Sequence, residues 1–414
     1  MTATGWLVPY ERLTPGQQQA VDAPVDRHRL IVGAPGSGKT LVLVHRAARL
    51  RHRFGSSEDR FCILVFTNVL KAYIRAGLRT LSLPEDSVKT YDAWVRDYHL
   101  REIDAHVPRA GHAPDFREIR RRVHDHAITF RPQLLDFVLV DEGQDLDTQA
   151  FETLCAVARH VTVAADRKQQ IYDDGASEEA IARALGLKGF NQSLLEAHRC
   201  SPFLLPLACA FLDDASERTA FEANTKIIPG ARTTPVLYRA EDADDERQAL
   251  GDVLRQRMRE GERIAVLFPQ QRQVFGFATG LQEEFGLDVQ TQGGRGQELP
   301  DFSSTKPVLL TYHSAKGLTF DTVFLPRLVE ASFGSTSEAA RLRRMFVAIT
   351  RAAKWVWMST VRGREPGFLA RLEPLVRAGQ LVERRKRAVE PAHRREGRAP
   401  FAPPGDDAFD EILS

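Results

Sequence analysis

The sequence has few cysteines and no long apolar run, and both absences narrow what the chain can be. Four cysteines occur among 414 residues, and no two of them form a C-x-x-C pair, so we expect neither a disulfide framework nor a zinc site. No run of about 18 apolar residues is present, which argues against a membrane span. The first residues also lack a signal-peptide pattern. These features predict a cytoplasmic protein.

The chain also lacks a strong charge of either sign. Its 57 Lys and Arg residues nearly balance 55 Asp and Glu residues, for a net charge of +2. A surface for nucleic acid would therefore have to be a local patch. The length fits two or three domains of ordinary size.

One stretch carries a specific chemical signal. Gly33–Thr40 fits the pattern G-x-x-x-x-G-K-[ST], between apolar residues 30–32, which predict a strand, and residues 41–50, which predict a helix. In that context glycines let backbone N–H groups approach phosphate oxygens. Lys39 can reach the β- and γ-phosphates, and Thr40 can ligate Mg²⁺. The predicted phosphate-binding residues are Gly33, Ala34, Pro35, Gly36, Ser37, Gly38, Lys39 and Thr40.

A second signal follows the apolar residues 137–140, which predict a buried strand ending in Asp141 and Glu142. We expect this strand to lie beside the strand that precedes the phosphate loop. Asp141 would then hold Mg²⁺ through water opposite Thr40. Glu142 would act as the general base that activates water.

The second half repeats the alternation of strand and helix without a second phosphate loop. This pattern predicts an α/β protein with two tandem domains, each built on a parallel sheet. We place the domains at residues 1–190 and 191–380. Residues 381–414, first basic and then acidic, predict a disordered tail. That tail is either a frayed end or a peptide that folds onto a protein partner.

Eight short motifs follow one another in a recognisable order. They are Leu13–Val21, Gly33–Thr40, Val65–Asn68, Val140–Asp145, Asp166–Tyr172, Glu196–Arg199, Thr311–Phe320 and Val347–Ala352. Their order resembles the motor core of superfamily 1 helicases of the UvrD/Rep/PcrA kind, over roughly residues 10 to 360. The resemblance implies two RecA-like P-loop NTPase domains with the ATP site in the cleft between them.

The resemblance also implies roles for individual residues. Gln17 becomes an adenine contact, and Gln169, Arg199 and Arg351 become γ-phosphate contacts. The implied catalytic set is Lys39, Asp141, Glu142, Gln169, Arg199 and Arg351. The implied nucleic-acid residues are Phe66, Thr67, Asn68, Thr90, His313 and Lys316. All of these except Phe66 are assigned because they lie in motifs that face single-stranded nucleic acid or couple it to ATP.

The chain departs from the family in several places. The segment between Thr90 and Asp141 is too short for the family's first accessory domain, and loop 293–306 stands where the second would be inserted. Asp173-Asp174-Gly175 stands where the family often has an aromatic residue that stacks on a base. Thr319 replaces the glutamate expected to contact the ribose.

These observations lead to two hypotheses. The first is a nucleic-acid-stimulated ATPase, a DNA helicase or translocase core that uses ATP and Mg²⁺ to move on single-stranded DNA, with RNA not excluded. The alternative is an ATP-gated nucleic-acid-binding subunit that needs a partner, such as a nuclease, repair or defence factor, and does not unwind alone.

Overall fold

The structure, a computed structural model, describes residues 6–33, 36–165, 176–188, 192–194, 199–223, 225–227, 233–293 and 298–386. A membrane-spanning helix would need more length and more apolar residues than any helix within these ranges has.

The first domain alternates strands and helices from its N-terminal end. Its strands are β1 (Arg29–Gly33), β2 (Phe61–Val65), β3 (Val88–Thr90), β4 (Arg109–Ala110), β5 (Ala113–Pro114), β6 (Leu135–Val140), β7 (Ala158–Ala165) and β8 (Gln192–Leu194). Its helices are α1 (Pro15–Asp22), α2 (Lys39–Phe54), α3 (Asn68–Leu78), α4 (Tyr91–Glu102), α5 (Phe116–Phe130), α6 (Thr148–Val157) and α7 (Glu178–Ala184).

The main sheet of this domain has the order β3-β2-β6-β7-β1-β8, and its neighbouring strands are all parallel. The prediction that the strand ending at Asp141 lies beside the P-loop strand is therefore wrong, because β7 separates β6 from β1. Residues 135–140 and 158–165 are both mostly apolar and almost wholly buried. Such runs indicate burial on both faces but do not specify which strand is the neighbour.

The second domain repeats the same architecture. Its strands are β9 (Arg199–Cys200), β10 (Lys226–Ile227), β11 (Val236–Ala240), β12 (Ile264–Phe268), β13 (Gln290–Thr291), β14 (Val308–Thr311), β15 (Phe320–Leu325), β16 (Ala352–Val361) and β17 (Val382–Arg385). Its helices are α8 (Leu204–Cys209), α9 (Ala215–Ala223), α10 (Ala243–Arg259), α11 (Gln271–Phe285), α12 (Glu330–Phe333), α13 (Glu338–Ile349) and α14 (Glu373–Arg377). The main sheet, in the order β13-β14-β12-β15-β16-β11-β17, is again parallel throughout.

These sheets confirm the predicted α/β class with two RecA-like domains, but they move both predicted boundaries. Strand β8 pairs with β1, so the first domain extends past residue 190 to Leu194. Strand β17 pairs with β11, so the second domain includes Arg385, which the prediction assigned to a disordered tail. Both are short strands at sheet edges. The charges that suggested disorder in β17 are typical of an edge strand, since they discourage further pairing. Residues 387–414 lie outside the described part of the chain.

A single apolar cluster continues across the junction of the two domains. Leu70 and Tyr73 of α3 belong to the same cluster as Ala315 and Leu318 of the second domain. The Tyr73 ring also meets Phe302 of the second domain edge-on, with ring centroids 5.2 Å apart. Burial of this shared surface holds the domains together, since apolar area removed from water contributes about 25 cal/mol per Å².

A buried arginine ties the first elements of the chain to the sheet. Arg46 of α2 is fully buried and donates from Nη1 to the carbonyl oxygens of Val21 (3.0 Å) and Ala23 (2.8 Å), at the end of α1. Its Nε donates to Thr162 Oγ1 (3.0 Å), and its Nη2 lies 3.1 Å from His160 Nε2. Because Arg46 is the donor, His160 must be neutral to accept. Burial and then the charge of Arg46 lower the pKa of His160 to about 3.

This network predicts a pH-dependent stability. Native His160 stays neutral down to about pH 3, whereas in the unfolded chain it takes up a proton near its ordinary pKa of about 6.5. The free energy of unfolding should therefore fall as the pH drops below about 6.5, by up to about 1.4 kcal/mol per pH unit from this group. In chemical unfolding between pH 7 and 4, His160→Gln should show a shallower decline than the unsubstituted protein. The exposed His112→Gln serves as the control and should keep the original slope, and equal slopes for all three proteins would contradict the assignment.

Candidate functional site

The phosphate loop leaves β1 and enters α2 through two glycines in the left-handed region. Gly36 has φ 72° and Gly38 has φ 82°, values that favour glycine over other residues. A Cβ at Gly38 would lie 2.5 Å from Gln17 Nε2, so a larger residue there would displace the Gln17 amide. Helix α2 begins at Lys39, and the N–H groups of its first turn favour an anion at this end. Ala34 and Pro35 lie outside the described residues.

Gln17 lies against this loop from the start of α1. Its Oε1 accepts from the N–H of Thr14 (2.9 Å), and its Nε2 donates to the carbonyl of Ser37 in the loop (2.9 Å). The first bond completes a capping box with Thr14. The amide predicted to read adenine is therefore held beside the phosphate loop by both of its ends, and the adenine contact itself stays a prediction.

Lys39, Thr40 and Asp141 come together where β1 and β6 end. Lys39 is buried, and its Nζ donates to the carbonyl of Gly33 (3.0 Å). Thr40 Oγ1 donates to Asp141 Oδ2 (2.6 Å). A hydroxyl and a carboxylate side by side next to a phosphate loop are the oxygen ligands that Mg²⁺ prefers. The residue pair predicted to hold the metal therefore fits it.

Glu142 is the next residue and lies in the left-handed region, with φ 52°, although it is not a glycine. Its backbone N–H donates to Asp141 Oδ1 (3.0 Å), and its carboxylate accepts from Gln144 Nε2. Non-glycine residues in this conformation cost on the order of 1–3 kcal/mol and are found at functional sites. The backbone thus turns sharply at the residue predicted to be the general base.

Several cations converge on Glu142. Burial alone would raise the pKa of its carboxyl, but the ammonium groups of Lys316 and Lys39 oppose burial. The hydrogen bond from Gln144 and the charge of Arg351 act in the same direction, and the pKa of Glu142 ends below its ordinary value. Glu142 is therefore an ionised carboxylate at neutral pH.

Asp141 has the opposite shift. Burial, and then the negative charge of Glu142, raise the pKa of Asp141 well above its ordinary value. Without a cation at this position, the two adjacent carboxylates repel each other in a place from which water is excluded.

The second domain supplies two of these cations. Arg351 lies just before β16, is buried, and donates to the carbonyls of Val347 (3.0 Å) and Leu318 (3.3 Å). Lys316 is 3% exposed and donates from Nζ to both carboxylate oxygens of Asp145, at 2.8 and 2.7 Å. Its Nζ is also 3.7 Å from Glu142 Oε2. The predicted interdomain site is thus formed by groups of both domains.

Two other predicted site residues, Gln169 and Arg199, are not described in full. Gln169 lies outside the described residues. For Arg199 the structure describes the backbone alone, in β9. Close to it, the N–H of Ser201 donates to the carbonyl of Ala353 (2.9 Å), which brings this backbone near Arg351.

The predicted nucleic-acid residues lie at the domain junction and at the ends of β2 and β3. Phe66 of the first domain meets His313 of the second edge-on, with centroids 6.0 Å apart. Burial, and then the charge of Lys316, lower the pKa of His313, so its imidazole is neutral at pH 7. Lys316 itself is buried at the junction, and its contact with nucleic acid stays a prediction.

The remaining predicted contacts cap helices. Thr67 accepts from the N–H of Leu70 (3.0 Å) to begin α3, directly before the exposed Asn68. Thr90 accepts from the N–H of Ala93 (3.2 Å) to begin α4. Because β2 and β3 are parallel neighbours, with Val65 opposite Thr90, these helix N-termini lie at the same edge of the sheet. Helix N-termini there favour phosphate groups.

Sequence reasoning missed Asp145 and Gly317 as members of the site. Both belong to motifs that were recognised, and each lies within three residues of a predicted site residue. Their contacts run between motifs that are far apart in the chain, and spacing within a motif gives no information about such contacts.

Asp136 and Asp141, at opposite ends of β6, have pKa values shifted in opposite directions, and this difference gives a stability prediction. Asp136, at the other end of β6, is partly buried, but hydrogen bonds from Arg60 and Ser56 outweigh that burial and lower the pKa of its carboxyl. At pH 8 with a metal chelator, Asp141→Asn should therefore raise the free energy of unfolding by about 1–3 kcal/mol, because it removes a buried repulsive charge. Asp136→Asn should lower it by about 1 kcal/mol, because it weakens a favourable pairing. Urea unfolding of the three proteins measures both, and changes of the same sign would contradict the interpretation.

Two family models match the chain. The UvrD/REP helicase N-terminal domain matches residues 13–104, and the UvrD-like helicase C-terminal domain matches residues 308–359. The first match contains the phosphate loop, and the second contains Lys316 and Arg351. These are the segments that meet at the interdomain site.

Individual proteins agree with these models. The chain is 32% identical over 104 residues to DNA helicase II of Haemophilus influenzae, covering 24% of this chain and 14% of that protein. It is 25% identical over 247 residues to a protein of Mycoplasma pneumoniae described as a probable DNA helicase, covering 54% of this chain and 43% of that one. The chain thus matches less than half the length of either relative.

A solved structure also matches part of the chain. It is the C-terminal domain of a possible DNA helicase from Lactobacillus plantarum, with a TM-score of 0.34 and 13% identity over 45% of this chain and 98% of that one. A similarity of this size carries no argument about function. The two family models and the motif residues assembled between the domains do carry one: the chain contains a UvrD/Rep-like superfamily 1 helicase core.

Proposed function

We propose that this chain is a nucleic-acid-stimulated ATPase, the core of a UvrD-like DNA helicase or translocase that moves on single-stranded DNA by ATP hydrolysis. The observation that carries the proposal is that charged groups from both domains surround the carboxylate of Glu142. Glu142 lies beside the phosphate loop of the first domain, and Lys316 and Arg351 of the second domain lower its pKa. Such a site is complete only while the domains are together, so ligand chemistry and domain motion are linked.

Each residue of the site has a separate role in the proposed ATP hydrolysis. The loop residues Gly33–Thr40 and the start of α2 bind the phosphates, with Lys39 on their oxygens. Thr40 and Asp141 would hold Mg²⁺, which would supply charge neutralisation on the phosphate oxygens. Glu142 accepts the proton of the attacking water as the new bond to the γ-phosphorus forms and the bond to the bridging oxygen of ADP breaks. Arg351, together with Arg199, stabilises the charge on the transferred group.

A single strand would run along the edge where β2 and β3 end. Thr67, Asn68 and Thr90 lie there at two helix N-termini, which suit phosphate groups, and Phe66 and His313 add rings from both domains. Contacts of this kind hold the backbone and stack on bases with little sequence preference. Because Phe66 and His313 belong to different domains, cleft closure would change their separation and so move the strand.

Replacing the general base should separate binding from chemistry. In Glu142→Gln, we expect turnover of MgATP to fall at least about 100-fold, because the amide cannot take the proton from water. Affinity for a fluorescent ATP analogue should stay within about threefold, since Lys39 and the loop are intact. Glu152→Gln, which changes an exposed carboxylate of α6, is the control and should keep full activity. Retained turnover in Glu142→Gln would exclude Glu142 as the base.

Single-stranded DNA should stimulate ATP hydrolysis. A thymidine oligonucleotide should raise the turnover number by about tenfold or more at fixed salt, because strand binding across both domains favours the closed cleft. A steady-state ATPase assay with and without the oligonucleotide measures this effect. Salt must stay constant, since phosphate contacts depend strongly on it. If neither DNA nor RNA changed the rate, the translocase proposal would fail.

The shortness of one segment supports the second candidate, a subunit that binds nucleic acid under ATP control and unwinds only with a partner. Between Thr90 and Asp141, the chain has only α4, the two-residue strands β4 and β5, α5 and β6, where the family carries an accessory domain. An unwinding assay on a duplex with a single-stranded tail separates the candidates. Unwinding by the chain alone supports the first, whereas ATPase activity without unwinding supports the second. A partner bound through the tail would be lost on truncation after Lys386, which keeps β17 intact.

A further inference from the structure

We propose that Lys316 is a positioning residue that couples docking of the second domain to the placement of Glu142; this inference rests on the proposed ATPase function. The contact behind it crosses the domain junction. Lys316 Nζ, from the loop between β14 and β15, lies 2.7 and 2.8 Å from the two carboxylate oxygens of Asp145 in the first domain.

Burial separates this pair from an ordinary surface contact. The side chains of Lys316 and Asp145 are 3% and 1% exposed, whereas those of Lys89 and Asp97, which form a pair at 2.9 Å, are 37% and 39% exposed. A lysine that binds a nucleic-acid backbone presents its ammonium to phosphates at the surface. The ammonium of Lys316 instead lies in the interior between two carboxylates, so we assign it a role inside the protein.

Asp145 controls the backbone around the general base. It ends a 3₁₀ turn, Gly143–Asp145, that starts directly after Glu142, and its N–H donates to the carbonyl of Glu142 (2.9 Å). A Cβ at Gly143 would lie 2.4 Å from Val163, so the turn is packed tightly on β7. Holding Asp145 therefore holds the turn, and with it the left-handed conformation of Glu142.

The neighbour of Lys316 closes over the same carboxylate. Gly317 has φ 77°, and a Cβ there would lie 3.2 Å from Glu142 Oε1 and 3.3 Å from Leu70. The backbone of the second domain thus comes directly against Glu142 and α3. When the cleft opens, Lys316 and Gly317 leave together, and Glu142 loses the ammonium group of Lys316 and the backbone of Gly317 that lies against its carboxylate.

The consequence for catalysis is specific. A base misplaced by about 1 Å can cost about 100-fold in rate without changing substrate binding. Loss of the pair should therefore lower the turnover number and leave the affinities for MgATP and for single-stranded DNA nearly unchanged. A nucleic-acid contact at Lys316 would give the reverse pattern.

A double-mutant cycle tests the pair, using Lys316→Met, Asp145→Asn and the double variant. We expect each single change to lower the ATPase turnover number on the order of 10- to 100-fold, and the double variant to be no slower than the slower single variant. Affinities for an ATP analogue and for a thymidine oligonucleotide should stay within about threefold. The matched cycle with Lys89→Met and Asp97→Asn should change turnover less than about twofold, because exposed pairs contribute little.

The outcomes are distinct. If unsubstituted protein hydrolyses no ATP, the proposed function fails. Two results would overturn this inference alone, provided that the unsubstituted protein hydrolyses ATP. One is that the rate losses of Lys316→Met and Asp145→Asn multiply in the double variant. The other is that Lys316→Met weakens oligonucleotide binding tenfold while turnover without DNA is kept. Should Lys316→Met fail to fold, Lys316→Gln keeps a hydrogen-bond donor without the charge and should show the same loss of turnover.

Discussion

Charge buried where the two domains meet is the constraint on which the rest of this structure depends. Lys39, Asp141, Glu142, Lys316 and Arg351 are all less than 10% exposed. Buried charges are costly unless they are paired, and removal of one partner from a buried pair typically costs about 3–5 kcal/mol. Since the carboxylates come from one domain and two of the cations from the other, neither domain can satisfy its charges alone. The apolar cluster that crosses the junction supplies the attraction that keeps them together.

Motif reading from the sequence reached the ends of the important strands but not their arrangement. The strand and helix on either side of the predicted phosphate loop, the strand that ends before Asp141 and the two parallel sheets were predicted correctly, because each depends on local spacing and on runs of apolar residues. The position of β7 between β1 and β6 was not predicted, since pairing in a parallel sheet joins strands distant in sequence. The edge strands β8 and β17 were missed because short, polar segments have no apolar pattern to mark them.

The site residues divide in the same way. Thr40 and Asp141 were predicted as partners, and their side chains are hydrogen bonded. Lys316 was assigned from its motif to nucleic acid, yet its ammonium contacts Asp145, a residue that no spacing rule connects to it. Burial is a property of the assembled domains, and a lysine in a polar motif has the same local sequence whether its ammonium faces solvent or another domain.

The Arg46 network has a consequence for the choice of nucleotide. Arg46 joins the end of α1 to α2, and Gln17 joins the beginning of α1 to the loop that leads into α2. Helix α1 is therefore fastened at both ends to the element that carries Lys39. If Gln17 binds adenine as predicted, the fold fixes the distance between the adenine site at Gln17 and the phosphate site at Lys39. Nucleotides would then be selected by the distance between their base and their phosphates. Changes that make α1 more mobile would weaken this selectivity before they weakened phosphate binding.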